Sequence, residues 1–330
     1  MFKKMKPKIS QFATGWIADR YDFRDWHWDD IFSSLTPGSE ELPDEFSWKE
    51  KLPTEIPIQK NIPSCCSCSF SFLQAFNSKQ EGYGADFLAS WRFIWANLSS
   101  KTPVGSTFRD NAKVVQELGV SREAYCPSSP EKGYDWVSDK NNLTQKSYDD
   151  ALRYRIKNYS YVNAPDVKRA IYRQPLIVAV YGNNQCWQDF SKPIEYCGWE
   201  KAEWTHAICI YGWDKDGNWE FVNWWGKDKT FGKLKTGYPF AAMLSVEDLP
   251  DIEPVIIKDT SSIRLVRTVL APAVYLLCNE ILHPIKDETT FKEYFGDWKL
   301  VEVINQSELD KYKIGIKIIS LSTIKELFNT

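Results

Sequence analysis

The sequence has 330 residues, 43% of them hydrophobic and 15% aromatic, so it can bury a large core and has room for one full domain beside a smaller one. A formal net charge of -3 gives no electrostatic case for nucleic acid or an anionic membrane as partner. No run approaches the roughly 18 apolar residues that cross a bilayer, and the basic start "MFKKMKPKISQF" has no apolar stretch behind it, so no secretory signal is read and a cytoplasmic location is expected.

Residues 1–46 are turn-rich and aromatic ("TGWIADRYDFRDWHWDD", then "PGSEELPDEFSW") and read as an extended arm packed on a larger body. From Cys65 to about Gln80, the positions Cys68, Phe72, Leu73 and Phe76 fall at helical spacing. The stretch "ADFLASWRFIWANLSS" repeats that pattern, with Trp91, Phe93 and Trp95 as core positions. "TFRDNAKVVQELGV" predicts a third helix, stopped by Gly119. After about residue 158 the texture changes to short strand-like runs, "QPLIVAVYG", "HAICIYGWD", "NWEFVNWWG" and "KTGYPFAAML", with "DKDGN" as a hairpin turn. A helical half followed by a β half predicts an α+β body over 47–250, with a groove where the halves meet. A polar, proline-containing stretch around 247–262 closes it. Residues 251–330 read as a small α/β accessory module, with strands around "AVYLLCNEILHPI", a helix around "DETTFKEYFG" and closing segments "WKLVEVINQSELDKY" and "IGIKIISLSTIKELF". It carries no recognisable chemistry and is expected to bind an unknown partner or serve as an accessory.

The eight cysteines, Cys65, Cys66, Cys68, Cys126, Cys186, Cys197, Cys209 and Cys278, are too sparse for a disulfide scaffold, and reduced thiols are expected. Cys65, Cys66 and Cys68 are spaced C-C and C-x-C with no second close pair, which is not a structural zinc pattern; no metal or cofactor is expected. A thiol nucleophile needs a base, a group that orients the base, and donors for an oxyanion. Only three histidines are available. His27 lies in the acidic arm and His283 precedes a proline in the last module. His206 opens an apolar strand, and Asn223 at the end of the next strand is placed to accept a proton from one of its ring nitrogens.

These residues together resemble the papain-like cysteine peptidases, and bacterial members in particular. The resemblance rests on Gln59 six residues before Cys65 with Ser64 between them, on His206-Ala207, and on Asn223-Trp224-Trp225-Gly226, all in the family's order. "GSTFRDNAKVVQELGV" looks like the segment that follows the substrate-binding loop, and "TGWIADRYDFRD" resembles the bacterial N-terminal arm. The likeness covers about residues 14–248. It implies a two-lobed fold, a helical lobe plus a β-barrel-like lobe, over a catalytic domain at 47–250. It also implies a thioester mechanism on peptide or protein substrates with Cys65, His206, Asn223 and Gln59 as the catalytic set. Gly105 would pair with substrate in β fashion. Ser64, Thr205 and Trp225 complete the substrate-facing positions, with Trp225 shielding the His–Asn bond from water.

Two registers compete for the nucleophile. A "C-x-S-C" reading favours Cys68. The glutamine register favours Cys65, which then opens a helix whose N-terminus lowers its pKa; Cys68 becomes a buried, inert thiol. The chain departs from the family at Cys66 (often aromatic), at Thr205 (often acidic) and at Trp224 (usually small). Fewer than 50 residues precede "LPDEFSW", so activation by loss of a large pro-domain is not expected. The expected activity is endopeptidase cleavage, for example of a precursor or leader peptide. The same thioester would serve a ligase, transamidase or deamidase, and a groove without turnover would bind peptides.

Overall fold

A computed structural model describes residues 14–23, 25–29, 41–81, 87–248, 264–268, 273–278, 281–294 and 301–314. The chain divides into two compact units, within Met1–Ile252 and Glu253–Thr330. The boundary stretch at 249–263, most of the closing segment at 315–330, and residues 30–40 of the N-terminal arm lie outside the described residues.

The first unit is organised around helix α1, Cys65–Gln80. The sequence suggests one apolar face, but every residue from Cys65 to Ser78 is buried. A helix enclosed on all sides packs against α2 (Trp91–Asn97), α3 (Phe108–Glu117) and strands β3 and β4 defined below. Three of its four serines survive burial because the hydroxyl has a partner; the hydroxyl of the fourth, Ser78, has none among the described residues. Ser67 donates to Asn111 Oδ1 at 2.6 Å, Ser69 to the Cys65 carbonyl at 3.0 Å and Ser71 to the Ala89 carbonyl at 2.6 Å. This is why serine and phenylalanine alternate there.

Helix α2 starts later than its pattern suggests. Ser90 is extended and its hydroxyl accepts the Phe93 N–H at 3.2 Å, so the helix begins at Trp91. Trp91, Phe93 and Trp95 are buried, as predicted. Helix α3 is capped by Thr107, which accepts from Asp110 N at 3.1 Å, and ends at Gly119 with φ +82°. A Cβ at Gly119 would stand 1.8 Å from the Ala151 carbonyl oxygen. Gly119→Ala therefore combines a left-handed backbone with a backbone clash, and should cost about 3 kcal/mol, read as a lower urea midpoint at unchanged slope.

Short helices α4 (Tyr134–Ser138), α5 (Gln145–Ala151) and α6 (Val167–Arg173) lead into the sheet. Its strands are β1 (Phe46–Ser47), β2 (Ile156–Tyr161), β3 (Leu176–Gly182), β4 (Trp204–Trp213), β5 (Trp219–Val222), β6 (Phe231–Leu234) and β7 (Phe240–Asp248). They run β2-β7-β3-β4-β5-β6, with β1 on β4, and all pairs are antiparallel. Among the described residues this path is open, ending at β2 and β6. The predicted turn joins β4 to β5. Asp214 Oδ1 accepts from Asp216 N at 3.1 Å and Asn218 N at 2.9 Å, and Gly217 takes φ +76°. The last predicted run starts its strand only at Phe240, after a turn at Gly237 with φ +77°.

The second unit is a mixed sheet, β11-β8-β9-β10-β12, with β8 Arg264–Thr268, β9 Tyr275–Cys278, β10 Ile281–Pro284, β11 Val301–Ile304 and β12 Lys313–Ile314. The β11–β8 and β10–β12 pairs are parallel. Helix α7, Glu288–Tyr294, matches the helix expected around "DETTFKEYFG", and a short α8 follows at Gln306–Leu309. Val266, Leu277, Leu282 and Ile304 form one small core; Phe291 joins Leu276 and Ile285 in another.

Candidate active site

Cys65 is the first residue of α1, where unpaired backbone N–H groups and the helix dipole favour an anion. His206 is the third residue of β4, opposite Val180 of β3. Asn223 follows β5, which pairs with β4, and the hairpin brings the two side chains together: His206 Nε2 and Asn223 Oδ1 are 2.7 Å apart. The amide orientation is fixed by its other bonds. Asn223 Nδ2 donates to the Lys229 carbonyl at 3.0 Å, and Oδ1 also accepts the Trp224 N–H at 2.8 Å. An oxygen facing Nε2 requires the proton there. That leaves Nδ1 to act as base; it is buried without a hydrogen-bond partner among the described residues.

The Cys65 thiol answers Nδ1. Burial by itself raises a thiol's pKa, but contact with Cys66, the His206 side chain beside it with its charge, and the Ala207 backbone overcome it and hold Cys65 at about 5. Its neighbours go the other way. Burial, and for Cys66 the contact with Cys65, pushes Cys66 and Cys68 well above the ordinary thiol range. Cys68 is fully buried with its sulfur 3.8 Å from Ser64 Oγ, and Cys66 donates to the Ser106 carbonyl at 3.3 Å. The surroundings thus favour Cys65 over Cys68. The seven cysteines whose side chains are described are free thiols.

Gln59 is buried in a turn that Ile62 N closes on the Gln59 carbonyl at 3.1 Å, while Gln59 Nε2 donates to Ile62 O at 3.1 Å. Lys60 adopts a left-handed φ of 48° to make that turn. Gln59 N donates to the Trp224 carbonyl at 3.0 Å, and Trp224 Nε1 to the Ala207 carbonyl at 2.9 Å. The loop before α1, the loop after β5 and β4 are thereby tied to one another. Trp225 stacks on His206 with centroids 4.7 Å apart and planes 24° from parallel. Ser64 is buried with its hydroxyl turned toward Cys68, so that hydroxyl is not displayed in the cleft. Gly105, at φ +132°, and Thr205 both lie at the cleft, and both face the chain's own Gly15.

No family model matches the chain, and no curated protein matches its sequence. Solved structures do match. Xylellain, a cysteine protease from Xylella fastidiosa, matches with a TM-score of 0.61 at 20% identity, over 76% of this chain and 99% of that one. The chain has the papain-like cysteine protease fold. Procathepsin B from Trypanosoma congolense shares that fold with a TM-score of 0.55 at 15% identity, over 72% and 87% of the two chains. The recombinant stem bromelain precursor does so at 0.52 and 18%, over 72% and 77%. In this papain-like frame Gln59 and Cys65 come from the helical side, and His206 and Asn223 from the sheet.

Sequence reasoning missed part of the surroundings. Trp187 and Trp204 meet His206 edge-on, with centroids 6.5 and 6.3 Å away, and close an aromatic wall with Trp225. The 15 tryptophans were a signal, but nothing local said which of them gather at the site. Lys229, whose carbonyl fixes Asn223, was unmarked as well. Among the described residues, no helix is long and apolar enough to cross a membrane, and no three His, Cys, Asp or Glu side chains are placed to hold a metal.

Proposed function

We propose that the protein is a cysteine endopeptidase. The observation that carries this reading is the His206–Asn223 pair at 2.7 Å beside a thiol that opens a buried helix. His206 takes the Cys65 proton through Nδ1, and the thiolate attacks a peptide carbonyl. The Cys65 backbone N–H and the Gln59 amide stabilise the oxyanion. As the tetrahedral intermediate collapses, the C–N bond breaks and the imidazolium gives its proton to the leaving amine. A water then loses a proton to His206, attacks the thioester carbonyl and frees Cys65. Asn223 keeps the imidazole in the tautomer both steps need.

The substrate is a peptide or protein; a precursor or leader peptide is the narrower substrate we propose. The unit within Glu253–Thr330 takes no part in this chemistry and serves as an accessory or docking module. Incubation with a mixed peptide library, read by mass spectrometry, tests the reading. Hydrolysed fragments are expected. Amine adducts in place of hydrolysis would make the protein a transferase. Intact peptides with no acyl-enzyme mass on Cys65 would make it a binding protein without turnover.

A further inference from the structure

Asn223 is followed by two tryptophans that enter different cores. Trp225 is partly buried against the cluster that holds Trp187 and Trp204, and it stacks on His206. Trp224 is 0% exposed and joins the cluster that holds Cys65, Phe72 and Ala207. No step of the proposed mechanism uses Trp224. Its position is one of the three at which the chain departs from the papain-like pattern, and here the departure puts a large side chain in place of a small one.

The side chain reaches in two directions. Its indole N–H donates to the Ala207 carbonyl at 2.9 Å. Ala207 follows His206 on β4, and the β4–β5 ladder ends at Cys209 opposite Val222, short of Ala207. The indole therefore grips β4 beyond the last pair of the ladder, next to the base. Its ring lies 5.5 Å between centroids from Phe72, inclined by 48°. Phe72 is 0% exposed and comes two helical turns after Cys65 on α1, so it shares a face with the thiol. The backbone of Trp224 is committed as well. Its N–H donates to Asn223 Oδ1 at 2.8 Å, and its carbonyl accepts the Gln59 N–H at 3.0 Å. With both backbone groups held, the indole spans the gap between helix and strand from a fixed base. The Ala207 backbone also helps to hold the Cys65 thiol at about 5, so a shift of this part of β4 against α1 is felt at the sulfur.

On the peptidase reading above, we propose that Trp224 is a positioning residue, its indole a strut between α1 and β4 that sets how Cys65 of the helical half meets His206 of the sheet. It acts through Phe72 and Ala207 and not on the substrate. A tryptophan that only filled space would contribute stability alone. A strut also fixes the geometry of a proton transfer, where a small displacement costs far more in rate than in stability. The bond to Ala207 separates the two roles, because a ring without a donor fills much of the same space and leaves the buried carbonyl unheld.

The test uses the full chain and three variants. Trp224→Phe keeps a ring and removes the N–H. Phe72→Leu keeps the N–H and removes the ring it leans on. Trp95→Phe is the control: Trp95 is also 0% exposed, but its indole N–H donates to Ser138 Oγ on α4, at 2.9 Å, and not to β4. Each is read by its urea midpoint, by kcat and KM on a cleaved peptide, and by the pH dependence of iodoacetamide alkylation at Cys65. Both tryptophan variants should unfold at lower urea. Trp224→Phe alone should lower kcat about tenfold with KM within about twofold, and raise the alkylation limb by about one pH unit. Phe72→Leu should move kcat and the limb the same way by less, and Trp95→Phe should leave both at wild-type values. A lower urea midpoint in Trp224→Phe with kcat and limb unmoved would overturn the strut, as would an equal shift in Trp95→Phe. If Trp224→Phe does not fold, Phe72→Leu decides alone, and an unmoved limb there overturns the proposal. A wild-type limb at the ordinary thiol value instead of near 5 would sink the peptidase reading itself, and this proposal with it.

Discussion

Cys65→Ala should abolish turnover, lowering kcat/KM by roughly four orders of magnitude or more, while Cys68→Ala should leave turnover within a few-fold of wild type. The two sulfurs lie three residues apart on the same helix and both are fully buried. Their surroundings differ. Cys65 faces a histidine whose other nitrogen is committed to Asn223 at 2.7 Å, whereas Cys68 faces a serine hydroxyl at 3.8 Å. Loss of the first removes the covalent route. Loss of the second leaves a cavity the size of one sulfur, costing about 1 kcal/mol of stability. Initial rates on a cleaved peptide, with urea unfolding of the same samples, separate the two. Activity retained in Cys65→Ala and lost in Cys68→Ala would reverse the register.

The pH dependence of alkylation should expose the ion pair directly. With Cys65 held at about 5, its thiolate is lost as pH falls through that value and is nearly complete by pH 7. Iodoacetamide should therefore react along a limb centred near pH 5 and plateau through neutrality. His206→Ala removes both the neighbouring side chain and the charge that oppose burial, so its limb should move to or beyond the ordinary thiol value of roughly 8.5. At pH 6 that is a loss of more than about a hundredfold in rate. Gln59→Ala should part the two assays. It removes one oxyanion donor but no charge near the sulfur, so turnover should fall roughly two to three orders of magnitude with the alkylation limb in place. The loop contacts of Gln59 make the opposite outcome informative: a shifted limb as well would mean that its bond to Trp224 positions the site.

The parts of this arrangement legible in the sequence were those written locally or in chain order. Gly119 announced a helix end because only its own backbone conformation was at issue, and "DKDGN" announced a hairpin for the same reason. Gln59, Cys65, His206 and Asn223 were found by their order and by the chemistry a thiol needs. The start of α2 was misplaced because the apolar spacing runs back past Ser90, while the Ser90 hydroxyl bonds the Phe93 N–H. The length of the stretch before "LPDEFSW" is plain in the sequence, yet length said nothing about where the arm lies. Gly15 touches Pro63, Ser106 and Thr205, three positions far apart in the chain, and no local pattern encodes such a meeting. The aromatic wall of Trp187, Trp204 and Trp225 is hidden for the same reason.

The burial of α1 on every side has a consequence for the order of events during synthesis. The Cys209 thiol on β4 donates to the carbonyl of Ser69 on α1, 140 residues earlier in the chain, and β4 also carries His206. At about 5–20 residues per second, α1 leaves the ribosome several seconds or more ahead of the strands that enclose it. In that interval its phenylalanines have no complete core and its first thiol has no imidazole beside it, so the thiol ionises as an ordinary cysteine. On the proposed peptidase reading, the nascent chain would acquire no cleaving pair until β4 and β5 have been made. The same docking that shelters the helix completes the reactive pair, so the acquisition of reactivity coincides with the completion of folding.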